Sequence, residues 1–185
     1  SNNQGLQAGF RSSDKFTCAF YGNDLDTAAT YTDTDWHHWA CTYDATSKAR
    51  NIYRDGVNVA QDVASANYQG SGEWLIGKAP WGDFFDGALD DLHVYARVLN
   101  ASELQALTTS AATAEVTPTP STTFQLRGWA SELPNLPGAV LHLRLDEAIS
   151  ATTVIDEAYL HGAVTCTSAT CPTTGISGQF GQAAQ

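Results

Sequence analysis

Trp36-His37-His38-Trp39-Ala40-Cys41-Thr42-Tyr43-Asp44 is the stretch whose reading decides the fold of this 185-residue chain. It is dense in aromatic and β-favouring residues, which suit a half-buried pleated surface, and predicts a strand over 36–43. Working outward, Tyr53-Arg54-Asp55-Gly56-Val57 contains a two-residue hairpin signal, because a type I′ turn needs positive φ at both central positions. Phe85-Asp86-Gly87-Ala88-Leu89-Asp90-Asp91-Leu92-His93-Val94-Tyr95 reads as a glycine bend entering a short apolar strand. Further strands are expected on both sides of Ser12-Ser13-Asp14, over 49–53 and 57–63, and over 74–76. Short strands at close intervals predict an all-β, antiparallel sandwich.

One helix is expected. Asn100 or Ser102 caps it, Glu103 lies in its first turn, and Leu104 and Leu107 share a face; it should end before Thr108-Thr109-Ser110. Asn100-Ala101-Ser102 is also a glycosylation sequon, but the cap is the preferred reading. Residues 108–123 are rich in Thr, Ser, Ala and Pro and read as a linker, whose hydroxyls could also carry O-linked sugar. Beyond it, Val140-Leu141-His142-Leu143-Arg144-Leu145 alternates apolar residues at 141, 143 and 145, the pattern of a half-buried strand. The expected organisation is a sandwich body over 1–107, the linker over 108–123 and a C-terminal segment over 124–185.

Composition removes several classes of function. Twenty acidic against nine basic residues give a net charge of −11, the wrong sign for a nucleic-acid backbone partner. No apolar window of about 18 residues predicts a membrane span. The chain has no initiator Met and no signal-like segment at Ser1, which predicts a processed product or a piece of something longer. Four cysteines without a Cys-x-x-Cys pair argue for disulfides over zinc. Cys18–Cys41, read as neighbours in one sheet, and Cys166–Cys171 are the expected bridges, which implies a secreted or cell-surface location.

In order and spacing, Trp36-His37-His38, Tyr43-Asp44, Tyr53-Arg54-Asp55-Gly56, Ile76-Gly77, Phe85 to Asp91, Arg97-Val98-Leu99 and Glu103 to Leu107 resemble the laminin G-like, concanavalin A-like jelly-roll family, in its bacterial extracellular form. The resemblance covers residues 10–107. Leu141 to Glu147, with Asp156, His161-Gly162 and 175–183, resembles the opening of such a module. The order is therefore inverted: a later part of one module, a linker, then an opening.

An incomplete sandwich leaves an unpaired strand edge and a bare apolar face. Residues 138–185 could fold back on the same body, insert into a neighbouring copy, or belong to a tandem array. Insertion into a neighbour is the leading expectation. Val140, Leu141, Leu143 and Leu145 would be the donated strand, and head-to-tail addition would give a filament of copies of this chain.

The second expectation is a glycan-binding module, with Trp81 and Trp74 near a glycine-rich loop as stacking residues. No catalytic residues are expected. Glycoside hydrolysis needs a carboxylate pair flanking the bond, and no Glu-x-Asp-x-Glu triplet occurs; Asp90-Asp91 and Asp146-Glu147 are adjacent and would face opposite ways. His37 and His38 should likewise face opposite ways, one inward and one solvated. No cofactor is required, but the resemblance implies a structural Ca2+ at Asp91 and Asp156.

Overall fold

The computed structural model describes residues 2–71, 75–79 and 84–109, together with short C-terminal strands between 139 and 184. Among the described residues it is a β protein with one helix. β1 (Gln7–Phe10), β2 (Phe16–Ala19) and β3 (Asp24–Asp26) form one antiparallel sheet in the order β1-β2-β3. β4 (Trp39–Tyr43), β5 (Ala49–Arg54) and β6 (Val57–Val63) form a second in the order β4-β5-β6. β7 (Leu92–Tyr95) precedes the helix α1 (Ala101–Thr109).

The two three-stranded sheets face each other across one core. Phe16, Cys18, Leu25 and Ile52 are buried there, with Phe10, Trp39, Cys41, Val59 and Ala60 packed against them. Strand alternation accounts for this selection. Cys41 is opposite Ile52 and both enter the core, whereas Ala40 is opposite Tyr53 and both turn to the other face. On that other face Ala40 and Tyr53 meet Leu99, Leu104 and Leu107, with Tyr95 beside them. The β4-β5 pair is therefore covered on both sides, by β2 and by α1. Aromatic rings close the first interface: Phe16 stacks on Trp39 at 4.3 Å and Phe10 meets Trp39 edge-on at 5.4 Å. Such pairs add about 1 kcal/mol beyond their buried area.

Arg50 is wholly buried in β5. Its guanidinium binds both Asp62 oxygens, at 3.0 and 2.6 Å, donates to the Asn23 carbonyl at 2.6 Å, and lies 4.8 Å over the Phe20 ring. It thereby ties the first sheet's turn to β6. Burial is tolerable because the charge is paired and its donors are used.

The hairpin signal is borne out. Asp55 and Gly56 have φ of 51° and 75°, the mirror-image turn, between β5 and β6. A Cβ at Gly56 would also fall 2.6 Å from Gln105 Oε1, because the turn packs on α1. Asn100, not Ser102, caps the helix. Its Oδ1 accepts from the Glu103 N–H at 3.0 Å while Glu103 Oε2 accepts from the Asn100 N–H at 2.9 Å, a reciprocal capping box. The helix runs further than expected, through Thr109, because Thr108 returns its hydroxyl to the Gln105 carbonyl at 2.8 Å and stays helical.

Three other expectations are corrected. The strand starts at Trp39, not Trp36, and just before it the His38 backbone is taken by Asp55, whose Oδ1 accepts its N–H and whose N–H donates to its carbonyl. Cys18 and Cys41 are bonded, with Cα atoms 5.9 Å apart, but they belong to β2 and β4 and so join two sheets instead of lying in one. Leu75 and Ile76 lie in no strand.

Five strands follow: β8 (Ala139–Leu143), β9 (Thr153–Ile155), β10 (Ala163–Thr165), β11 (Thr174–Ser177) and β12 (Gln182–Ala184). β8 pairs antiparallel with β7, placing Leu143 opposite Leu92 and Leu141 opposite Val94. β9 pairs with β10 and β11 with β12. The greater part of the expected linker, residues 110–123, lies outside the described residues.

Candidate functional site

Two surface features bear on function. The first is a hairpin in which Lys78 bridges Phe84 and the Phe85 N–H donates to the Gly77 carbonyl at 2.9 Å. Gly77 sits at φ 72°, a left-handed position that favours glycine. Consecutive residues on this strand-like arm part company. Phe85 lies parallel to Phe10, centroids 6.5 Å apart, and so anchors the arm to the core edge. Phe84 turns outward and is 75% exposed, with the Lys78 ammonium 5.9 Å from its ring centre. Trp81 and Trp74 lie outside the described residues.

The second feature is a polar cluster on the segment before β4. His37 Nδ1 is 2.7 Å from Asp55 Oδ2, and its Nε2 is 2.7 Å from Asp33 Oδ1. Arg54 Nη2 donates to Asp33 Oδ2 at 2.8 Å and touches the same His37 Nε2. The guanidinium is held flat over Tyr31, 4.7 Å from its centre, and lies 5.7 Å from that of Trp39. Asp55 is itself fixed, since its Oδ1 accepts from the His38 N–H at 2.9 Å. Burial opposes charge on Asp33, but the His37 hydrogen bond and the Arg54 charge hold its carboxyl below the usual range. Asp35 is exposed beside this network, and Trp36 is 38% exposed.

Sequence reasoning treated His37 and His38 as an adjacent pair and missed this cluster. The available signal was the closeness of Asp33, Asp35 and His37 in sequence, three polar side chains that a bend at Asp35 gathers together. His38 turns the other way and is largely buried; that burial lowers its pKa against the opposing pull of Asp55.

The remaining expected residues are scattered. Asp91 enters β7 at φ 49°, while Asp156 lies outside the described residues, as do Leu145, Cys166 and Cys171. Val140, Leu141 and Leu143 lie on β8. Asp24 and Asp26, alternate residues of β3, form a carboxylate pair that the Arg11 guanidinium binds at 2.9 and 2.8 Å. Burial opposes it, but hydrogen bonds from Thr17 and Arg11 keep Asp26 below the ordinary carboxylate range. Among the described residues, no helix is long and apolar enough to cross a membrane.

Residues 1–105 match the family described as the concanavalin A-like lectin/glucanases superfamily, of laminin G type. Among solved structures, the chain is similar to a candidate carbohydrate-binding protein from Bacteroides ovatus ATCC 8483, at 17% identity and a TM-score of 0.56. That likeness covers 83% of this chain and 42% of the other, so the chain spans less than half the length of the structure it resembles. No curated protein matches the chain.

Proposed function

Because the chain belongs to the concanavalin A-like lectin/glucanases superfamily, we propose that it is a non-catalytic, secreted or cell-surface module that binds glycans. The observation carrying this reading is the outward Phe84, 75% exposed on a hairpin that Phe85 pins to Phe10. An exposed aromatic ring offers an apolar face on which a pyranose can stack. Trp81, which lies between Lys78 and Phe84 in the sequence, would add a second stacking ring. The fold of the Bacteroides ovatus carbohydrate-binding candidate agrees with this reading.

Catalysis is disfavoured by the carboxylates. A glycosidase needs one carboxyl raised to act as an acid, whereas Asp26 and Asp33 are lowered and tied to guanidinium groups. The disulfide supports an oxidising, extracellular setting. The test is a glycan array on the full chain, followed by titration of any hit. Phe84→Ala and Trp81→Ala should each weaken binding about tenfold, or 1.4 kcal/mol. An array without hits, or affinities unchanged in both variants, overturns the reading.

The antiparallel pairing of β8 with β7 favours a second role. A strand reached across a long connection can be exchanged between copies through the same contacts, which is domain swapping at little cost. Head-to-tail exchange would polymerise the chain into filaments, with residues 138–185 as the donor. Light scattering should then report assemblies that survive dilution, and Leu143→Asp should abolish them while leaving Cys18–Cys41 intact. A compact monomer near 19.8 kDa, or normal assembly of the variant, removes this role. A structural Ca2+ at Asp91 and Asp156 is a further proposal; calcium should raise the melting temperature of the chain, and Asp91→Asn should cancel the effect.

A further inference from the structure

The geometry points to a divalent-cation site formed by His37, Asp33 and Asp35, with Asp55 as its outer support. The three side chains come from one short segment that bends at Asp35, so that Asp33 and His37, four residues apart, meet at 2.7 Å, and the ligand atoms of all three lie within 4.8 Å of one another. Across a tetrahedral ion with ligand bonds near 2.1 Å, donors stand ~3.3–3.5 Å apart, so small side-chain rotations close the set.

The histidine is prepared for the task. Asp55 Oδ2 lies 2.7 Å from Nδ1 and is positioned to accept its proton, the arrangement that leaves Nε2 as a lone pair. The other Asp55 oxygen is secured by the His38 N–H, so the orienting carboxylate cannot swing away freely. A carboxylate behind the imidazole is the usual support of a metal-binding histidine.

Nε2 and Asp33 Oδ1 face each other at 2.7 Å, a spacing that either a ring proton or a bound cation can bridge. Arg54 supplies positive charge by reaching both Asp33 and His37 through one nitrogen. A single guanidinium does not balance the cluster. Once His37 gives up any ring proton to ligate an ion, Asp33, Asp35 and Asp55 against Arg54 carry two net negative charges, the complement of one divalent ion. Arg54 is thus the internal competitor, and its rings Tyr31 and Trp39 can hold it once Nη2 is displaced. One imidazole and two carboxylates suit a borderline ion such as Zn2+ better than Ca2+, which prefers six or more oxygens. The site is independent of the glycan reading.

Isothermal titration of tag-free full-length chain with ZnCl2, and separately with CaCl2, tests the site. One zinc equivalent should bind, more tightly than calcium. His37→Gln and Asp35→Asn should each weaken it about tenfold or more, and loss of the outer carboxylate in Asp55→Asn should weaken it about 10–100-fold. Arg54→Gln should tighten it. Asp35→Asn guards against misfolding as an explanation, because it alters an exposed side chain, and its melting curve without metal should match the parent. Absence of zinc binding, zinc binding unchanged in both His37→Gln and Asp35→Asn, or calcium bound as tightly as zinc and weakened by those same two substitutions each overturns the proposal.

Discussion

His38 is sheltered while its neighbour His37 bridges two carboxylates, and that difference has a pH signature. Burial lowers the His38 pKa below the ordinary value of 6.5, outweighing Asp55. Between the two values the unfolded chain binds a proton that the folded chain refuses. Stability from this group is therefore complete above about pH 6.5, the unfolded value, and falls as pH drops from there toward the folded pKa. Urea midpoints measured from pH 7.5 to 5 should decline, and His38→Gln should decline less. Equal declines would mean that other groups set the pH dependence. The lowered carboxylates Asp26, Asp33, Asp44 and Glu103 lose their contribution only at more acid pH, as they titrate below their unfolded values, so the two windows separate.

At the scale of elements, local chemistry was readable wherever one or two neighbouring residues decide the backbone. Asp55-Gly56 demanded positive φ, and Asn100 was one of two cap candidates with Glu103 in the first turn; the turn formed, and Asn100 took the cap, closed into a box by Glu103. Asn100→Ala should destabilise the fold by about 1 kcal/mol, read as a lowered urea midpoint with an unchanged slope. No change would mean that α1 is held by Leu104 and Leu107 alone. The 36–38 stretch was misread because aromatic density looks like strand propensity, which is really fitness for a packed pleated surface. Here Asp55, distant in sequence, captures His37 and the His38 backbone instead. The polar cluster was illegible for the same reason. Asp33, Asp35 and His37 are close in sequence, but Asp55 and Arg54 arrive from the far hairpin, and only folding brings them together. The exposed Phe84 beside the anchored Phe85 likewise follows from strand alternation once the Lys78–Phe84 bridge is known.

For the molecule as a whole, the sandwich was legible from repeated short strands and from ordered motifs, whereas the partnership of its layers was not. Cysteine spacing allowed a bridge between Cys18 and Cys41 but carried no information on which sheets they join. The bond closes a loop between residues 23 apart in sequence, and removing it in a Cys18→Ala/Cys41→Ala double variant should lower stability by about 3 kcal/mol. Equilibrium urea unfolding measures this directly; a loss well under 1 kcal/mol would mean that the Phe16–Trp39 packing already fixes the two layers.

The same covalent link between β2 and β4 sets a limit on extension under tension. If the chain is pulled from outside positions 18 and 41, the enclosed segment cannot unravel while the bond lasts. Roughly 80 Å of contour, at about 3.5 Å per residue, then stays locked. A tethered molecule would lengthen in two stages, the second appearing only after a reductant reaches the sulfurs.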